Sequence, residues 1–416
     1  MKPRLPALAL YGVSLYACSS TVDPGASATS DPASTSQDAA PRAPVPSQDG
    51  GDSASPASGD AGADASPAAP EVRFVGRFDG SSAAGPKVSW AGAQIVARFS
   101  GTEVHATFDD TMAFNDYGTD RWEVVIDGTS AMTFQLDRAP RSYTLATGLA
   151  AGTHTVELWK LTEATVGTSQ FMGFEFPGGA LLAPPPAKTR HLEFIGDSGS
   201  NGYGIDGAPG CAFTAATQNA HKAYPALIAS DLDADHFNLA TSGKGLYYNA
   251  YRPDLDTFPV LYPRTLTFSE TSLWNFTSYT PDVVWLTLGG IDYNDPDYDS
   301  STAPDPPPPG AFQSKYVDLL GTVRAHYPAA HVFCAIAPSL NDQYPPGYNA
   351  YTHVKTAVQN AVSAKASSGD TRIYFFEFTR STPSDNTACD GHTNANKHRA
   401  MATEAVAFIK AKTLWP

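Results

Sequence analysis

The chain has 416 residues, of which 42% are hydrophobic and 17% charged, with a formal net charge of −15. That length accommodates two or three domains. The acidic balance argues against a nucleic-acid partner, because neutralising phosphates takes Lys and Arg. It is compatible with a neutral or cationic partner such as a glycan.

In chain order, the basic start "MKPR" precedes the apolar run "LPALALYGVSLYA". This run is too short to span a bilayer comfortably and reads as a signal peptide. It ends in Leu15-Tyr16-Ala17-Cys18, which resembles the lipobox of bacterial lipoproteins. The resemblance implies that residues 1–18 end in a lipidated Cys18. Ser19, rather than Asp, follows it, which implies sorting to the outer membrane of a Gram-negative cell. The expectation is an exported lipoprotein of the bacterial outer membrane or cell surface, with its lipid anchor in the membrane. Residues 19–70 are Ala, Ser, Pro, Asp and Gly with almost no large apolar side chain. Such a segment cannot bury enough surface to offset its ordering entropy and reads as a flexible tether.

Residues 71–184 change character. "KVSWAGAQIVARFS", "TEVHATFDD", "DRWEVVIDG", "SAMTFQL", "RSYTLAT" and "GTHTVELWKLT" are short, β-rich and separated by Gly, Asp and Ser. This pattern predicts an all-β sandwich of jelly-roll type. Trp90 and Trp122 are expected in its core rather than on a sugar-binding face. "ALLAPPPAKTR" then reads as a linker.

Residues 190–416 alternate apolar runs with helical patterns. The runs are "HLEFIGDS", "HFNLATSG", "DVVWLTLGG", "HVFCAIAPSL" and "RIYFFEF". Helices are predicted over "AHKAYPALIASDL", "FQSKYVDLLGTVRAHYP", "YNAYTHVKTAVQNAVSAKAS" and "NANKHRAMATEAVAFIKAK". Alternation implies a parallel sheet covered on both faces, a three-layer α/β/α arrangement. Functional groups collect at the carboxyl ends of such strands. Ser198 ends the first run, Gly243 the second, Gly289 and Gly290 the third, and His392 follows the fifth. All converge on one edge of one sheet.

Besides Cys18 the chain has Cys211, Cys334 and Cys389. Cys334 lies in an apolar run and is predicted to be a free core thiol. Cys211 and Cys389 lie in glycine-rich loops near the candidate catalytic residues and are predicted to pair, a link contributing about 4–5 kcal/mol in the chain-entropy model. No Cys or His spacing suggests a metal site, and no cofactor is expected.

Gly-Asp-Ser-Gly around Ser198 also occurs in chymotrypsin-like proteases, but those need an all-β double barrel and a His ahead of the Ser. Here the His candidate comes last, in an α/β context. The α/β part instead resembles the SGNH (GDSL-type) hydrolases, whose sheet is flavodoxin-like, and the body from 71 to 416 resembles carbohydrate esterase family 2. The likeness rests on "VGRFD", "GPKVSWAGAQIVARFSGT", "FIGDSGSNGYG", "NAHKAYPALIASDLDAD", "SGKG", "LYPRTL", "PDVVWLTLGG" and "CDGHTNANKH", in that order.

The resemblance implies Ser198 as nucleophile and His392 as its base. Ser198 is expected at a helix N-terminus, with His398 a surface or packing residue and Ser200 a loop or capping residue. SGNH enzymes generally carry an Asp three residues before the His; Asp390 is two before, too near to reach Nδ1 easily. A Ser-His dyad is therefore expected, with the Gly391 carbonyl orienting the imidazole and Asp390 structural. Oxyanion donors would be the N–H groups of Ser198 and Gly243. The third donor, an Asn side chain in the family pattern, is replaced by Ile291, and Asn294 is the available substitute. Lys244, Gly245, Tyr203, Tyr262 and Arg264 are expected to shape the pocket.

The resemblance implies an esterase deacetylating xylan- or mannan-type plant polysaccharide through an acetyl-enzyme, and a monomer is expected. Two alternatives stay open: a glycan-binding lipoprotein whose hydrolase site has decayed, and an esterase for another acyl ester, such as acetylated peptidoglycan.

Overall fold

The computed structural model describes residues 71–112, 117–293 and 305–416. Cys18 and the expected tether over residues 19–70 therefore lie outside the described residues, as does Asn294. Among the described residues the β-rich segment forms ten strands: β1 (Arg73–Val75), β2 (Lys87–Val88), β3 (Gln94–Gly101), β4 (Val104–Met112), β5 (Arg121–Ile126), β6 (Thr129–Gln135), β7 (Arg141–Ala146), β8 (Gly152–Lys160), β9 (Gly167–Glu175) and β10 (Ala180–Leu182). They pair antiparallel in two sheets, β1-β3-β8-β5-β6 with β10 also on β3, and β2-β9-β4-β7. Side chains alternate along each strand. Ile95, Ala97 and Phe99 of β3 thus meet Val104, Ala106 and Phe108 of β4 in one core, which also holds Trp122. β10 takes the first residues of the expected linker: Leu181 packs on that core, so the segment pairs instead of running free.

Among its described residues the second segment forms five parallel strands, β11 (Arg190–Gly196), β12 (Ala234–Ala240), β13 (Val283–Thr287), β14 (His331–Ile336) and β15 (Ile373–Glu377), in the order β12-β11-β13-β14-β15. The helices are α1 (Tyr224–Asp231), α2 (Phe258–Leu261), α3 (Ala311–His326), α4 (Ala350–Ser367) and α5 (Ala395–Thr413). Strand alternation decides which helix covers which face. Leu192, Phe194, Val283, Trp285, Phe333 and Ala335 pack with residues of α1 and α5. Their neighbours Ile195, Val284, Leu286, Val332, Cys334 and Ile336 pack with α3 and α4. Most of these strand residues are buried on both faces, which explains the largely apolar runs. Cys334 is a free, buried thiol. The strand order reverses between β11 and its neighbours β12 and β13, and crevices at the carboxyl ends of such switch points are where doubly wound sheets bind ligands.

Trp122 lies in the sandwich core, whereas Trp90 is buried in the cluster built mainly by the hydrolase segment. Trp122 Nε1 donates to Ser169 Oγ at 3.0 Å, and Trp90 Nε1 donates across to the Thr265 carbonyl at 2.8 Å. Cys211 and Cys389 form a disulfide across 178 residues of sequence.

Candidate active site

Ser198 follows β11 by two residues and is 8% exposed. It opens a single 3-10 turn, Ser198–Ser200, and the first α-helix begins only at Tyr224. The expected helix N-terminus is therefore absent. The reason is local: Asn201 caps the turn and Gly202 and Gly204 follow with positive φ, a sequence that does not propagate a helix. The turn is held from Asp197, whose Oδ1 accepts from Gly199 N at 3.0 Å. Burial, with the Asp292 carboxylate nearby, pushes Asp197 up to about 6. Gly196 is required by packing, because a Cβ there would meet Ser200 Oγ at 2.1 Å. Ser200 itself is buried against Tyr224, its Oγ 2.8 Å from the phenol oxygen.

His392 follows β15 by a loop and closes the site. Ser198 Oγ lies 2.9 Å from His392 Nε2. On the other side of the ring, Nδ1 lies 3.2 Å from the Cys389 carbonyl oxygen. A carbonyl only accepts, so Nδ1 carries the proton and Nε2 presents a lone pair to the serine hydroxyl. The orienting carbonyl is thus that of Cys389, not Gly391. Asp390 (φ +52°) and Gly391 (φ +72°) are consecutive left-handed residues, and they turn the chain until Cys389 O faces both His392 N and the ring. The disulfide to Cys211 fixes the residue that supplies this carbonyl.

Asp390 does not bond the imidazole. Its Oδ2 accepts from Tyr203 OH and from Phe213 N, both at 3.0 Å. Tyr203 in turn stacks on His392 with ring centroids 4.1 Å apart. Desolvation holds His392 below its ordinary value, against the Cys389 carbonyl and the Asp390 charge, which favour the protonated ring. A base must be neutral to act, so activity is lost as pH falls through this lowered pKa. The acid limb of kcat/KM is expected below pH 6.5, the ordinary histidine value. Asp390→Asn removes a charge that favours imidazolium and is expected to move the limb lower still. A kcat/KM profile between about pH 4 and 8 checks both, and an upward shift in the variant contradicts the assignment.

Ser198 and His392 open into a pocket of about 210 Å³ whose wall includes Gly290, Ile291, Tyr293, Pro338, Ser339 and Asn341. Ile291 lies on this wall, so the position that carries Asn in the family pattern is apolar here. Gly243 stands in the turn after β12 with φ +74°, and β12 is hydrogen-bonded alongside β11, bringing this turn next to that of Ser198. His398 is buried, accepting from Tyr224 N at Nδ1, and burial pushes it down to about 3. It is a packing residue.

Four expected pocket residues, Lys244, Gly245, Tyr262 and Arg264, lie away from this wall. Lys244 Nζ is held by Asp254 and the Asp256 carbonyl. Tyr262 OH donates to Glu193 in the core, and Arg264 Nη1 donates to Asp256. Each is claimed by a nearby acceptor. Gly245 packs under Asp292, whose carboxylate receives the N–H groups of Leu246, Tyr247 and Tyr248.

A serine and a tautomer-fixed histidine at the carboxyl edge of a 2-1-3-4-5 parallel sheet, behind an antiparallel sandwich, define a two-domain SGNH-type hydrolase. Residues 74–186 match the carbohydrate esterase 2 N-terminal family model and residues 194–400 match that of the GDSL-like lipase/acylhydrolase family. The chain belongs to carbohydrate esterase family 2. It is similar to a family two carbohydrate esterase from Clostridium thermocellum, solved in complex with cellohexaose, at 33% identity and TM-score 0.76, covering 83% of this chain and all of that one. It is 34% identical over 348 residues to the cellulase/esterase CelE of Acetivibrio thermocellus, and 31% identical over 213 residues to an acetylxylan esterase / glucomannan deacetylase of Cellvibrio japonicus. Those alignments cover 83% and 50% of this chain, but only 40% and 56% of the two relatives.

Proposed function

We propose that this chain is a serine esterase that removes O-acetyl groups from xylan- or mannan-type plant polysaccharide through an acetyl-enzyme. The observation that carries the proposal is the 2.9 Å approach of Ser198 Oγ to His392 Nε2, with Nδ1 committed to Cys389 O. The substrate class is supported by the relative named as an acetylxylan esterase / glucomannan deacetylase and by the neighbour that holds cellohexaose.

In this mechanism Ser198 Oγ attacks the acetyl carbonyl carbon while its proton passes to His392 Nε2. The bond from that carbon to the sugar oxygen then breaks, and His392 returns the proton to the departing sugar hydroxyl. Water attacks the acetyl-enzyme, giving its proton to His392. Acetate leaves and Ser198 is reprotonated. The N–H groups of Ser198 and Gly243 stabilise the oxyanion. Cys18, lipidated at the head of the tether, would keep the enzyme at the outer membrane or cell surface as a monomer.

Acetate release from acetylated xylan and glucomannan by the purified protein tests the reading. Ile291 on the pocket wall favours a second one, a glycan-binding protein of little esterase activity. Wild type that binds these glycans and releases no acetate selects it. Activity confined to acetylated peptidoglycan or small acyl esters keeps the chemistry and changes the substrate. Because one oxyanion donor is worth about 10²–10³ in rate, Ile291→Asn is expected to raise kcat by about tenfold or more. An unchanged or lower kcat means that the site is already complete with Ile291.

A further inference from the structure

The turn joining β8 to β9 carries Glu163, a carboxylate from the sandwich with no exposed surface. Its side chain reaches the hydrolase layer. Oε2 accepts from Ser242 N at 2.6 Å and from Asn201 Nδ2 at 3.2 Å. Oε1 accepts from Ser242 Oγ and from Gln218 Nε2 at 3.4 Å. Gln218 also anchors the turn itself, its Oε1 accepting from Glu163 N at 3.1 Å. A buried carboxylate with four donors is both satisfied and fixed.

The two segments it joins are those that flank the reacting carbonyl in the mechanism above. Asn201 belongs to the nucleophile turn, its N–H donating to Ser198 O at 3.1 Å. Ser242 precedes Gly243, whose left-handed backbone (φ +74°) fixes the direction of the turn after β12. We propose that Glu163 is a positioning residue that sets the spacing between the Ser198 and Gly243 N–H groups, so that the β-sandwich supplies part of the esterase machinery. The proposal rests on the esterase reading. Its physical content is a tolerance: oxyanion donors work about 2.7–3.1 Å from the developing charge, and a shift of about 1 Å costs about 10²-fold in rate. A single carboxylate that holds both backbone segments removes that freedom. Glu163→Gln keeps the shape but turns an amide donor toward two existing donors, so one side of the clamp opens.

The test uses the full chain with 4-nitrophenyl acetate. Wild type active and Ser198→Ala silent establishes the parent reading independently. Glu163→Gln is then expected to lower kcat by about 10–100-fold with KM within about twofold. Inhibition by a boronic acid, which adds to Ser198 as a tetrahedral mimic, is expected to weaken in parallel. A merely structural role would lower the thermal midpoint without moving the boronate constant of the folded fraction. If Glu163→Gln does not fold, Ser242→Ala, which deletes one donor and no charge, is expected to show the same kcat-only loss at about 3–10-fold. Wild-type kcat and boronate affinity in either folded variant overturn the inference and leave the esterase reading standing. A wild type silent on every acetyl ester overturns both.

Discussion

Ser198→Ala is expected to lower acetate release by about four to six orders of magnitude, with substrate binding little changed. In the proposed mechanism the acetyl group then has no atom to carry it, and what remains is the background rate of a site that would still orient substrate and offer N–H donors. His392→Ala is expected to cost a similar factor, because the hydroxyl 2.9 Å away loses the group that takes its proton. The two act as one unit, so the double variant should be barely slower than either single one. Asp390→Asn belongs in the same experiment as the contrast. Its carboxylate bonds Tyr203 and Phe213, not the imidazole, so its loss should cost far less than that of either dyad member. Acetate release by Ser198→Ala within about a hundredfold of wild type would mean a different nucleophile. An Asp390→Asn loss as deep as that of His392→Ala would mean that the carboxylate swings onto the ring during turnover.

Much of this site is legible in the sequence for a definite reason. Parallel strands buried on both faces leave long apolar runs, and the residues just past those runs must share one edge of the sheet. Ser198, Gly243 and His392 are found by that rule, and the pairing of Cys211 with Cys389 follows from their placing in loops at the same edge. The pocket wall after β14, Pro338 and Ser339 in "CAIAPSL", obeys the same rule and was open to it.

What escapes is set by contacts with no local signature. Gly391 announces a turn, but the left-handed Asp390 before it does not, and that second residue decides that Cys389 rather than Gly391 orients the histidine. Glu163 stands in the turn that carries the chain from β8 in one sheet to β9 in the other, where an acidic residue is ordinary. Its partners Asn201, Gln218 and Ser242 lie tens of residues away, and no periodicity links them. Tyr262 and Arg264 sit in a family motif, which marks them as constrained without saying by what. The constraint is the domain junction.

That junction carries the second large effect. Arg77→Ala is expected to destabilise the protein by about 3–5 kcal/mol, read as a lower denaturant midpoint at unchanged slope. Arg77 comes from the loop after β1 and is fully buried, as is Glu193 in the middle of β11. Glu193 faces the α3–α4 side of the sheet, where its strand neighbour Ile195 is apolar. A carboxylate there is tolerable only if neutralised. Arg77 Nη2 lies 3.3 Å from Glu193 Oε2, and the phenols of Tyr262 and Tyr327 donate to the same carboxylate at 2.8 and 3.3 Å. Arg77 Nη1 donates to the Tyr262 and Arg264 carbonyls, and the guanidinium lies 5.1–5.3 Å from the rings of Tyr262, Trp274 and Phe276. Removing Arg77 leaves the fully buried Glu193 carboxylate without its cation and strips both carbonyls of a donor. Replacing both members with similar-volume neutral residues, Arg77→Met with Glu193→Gln, should recover a large part of the loss, because the penalty lies in the stranded charge rather than in the absent pair. A single variant as stable as wild type would mean that water reaches Glu193. A double variant no better than Arg77→Ala would place the cost in the carbonyls and rings that Arg77 holds, and so in the geometry of the sandwich against the sheet. In that case Arg77→Ala should also slow catalysis through Glu163, another point at which the sandwich holds the hydrolase segment.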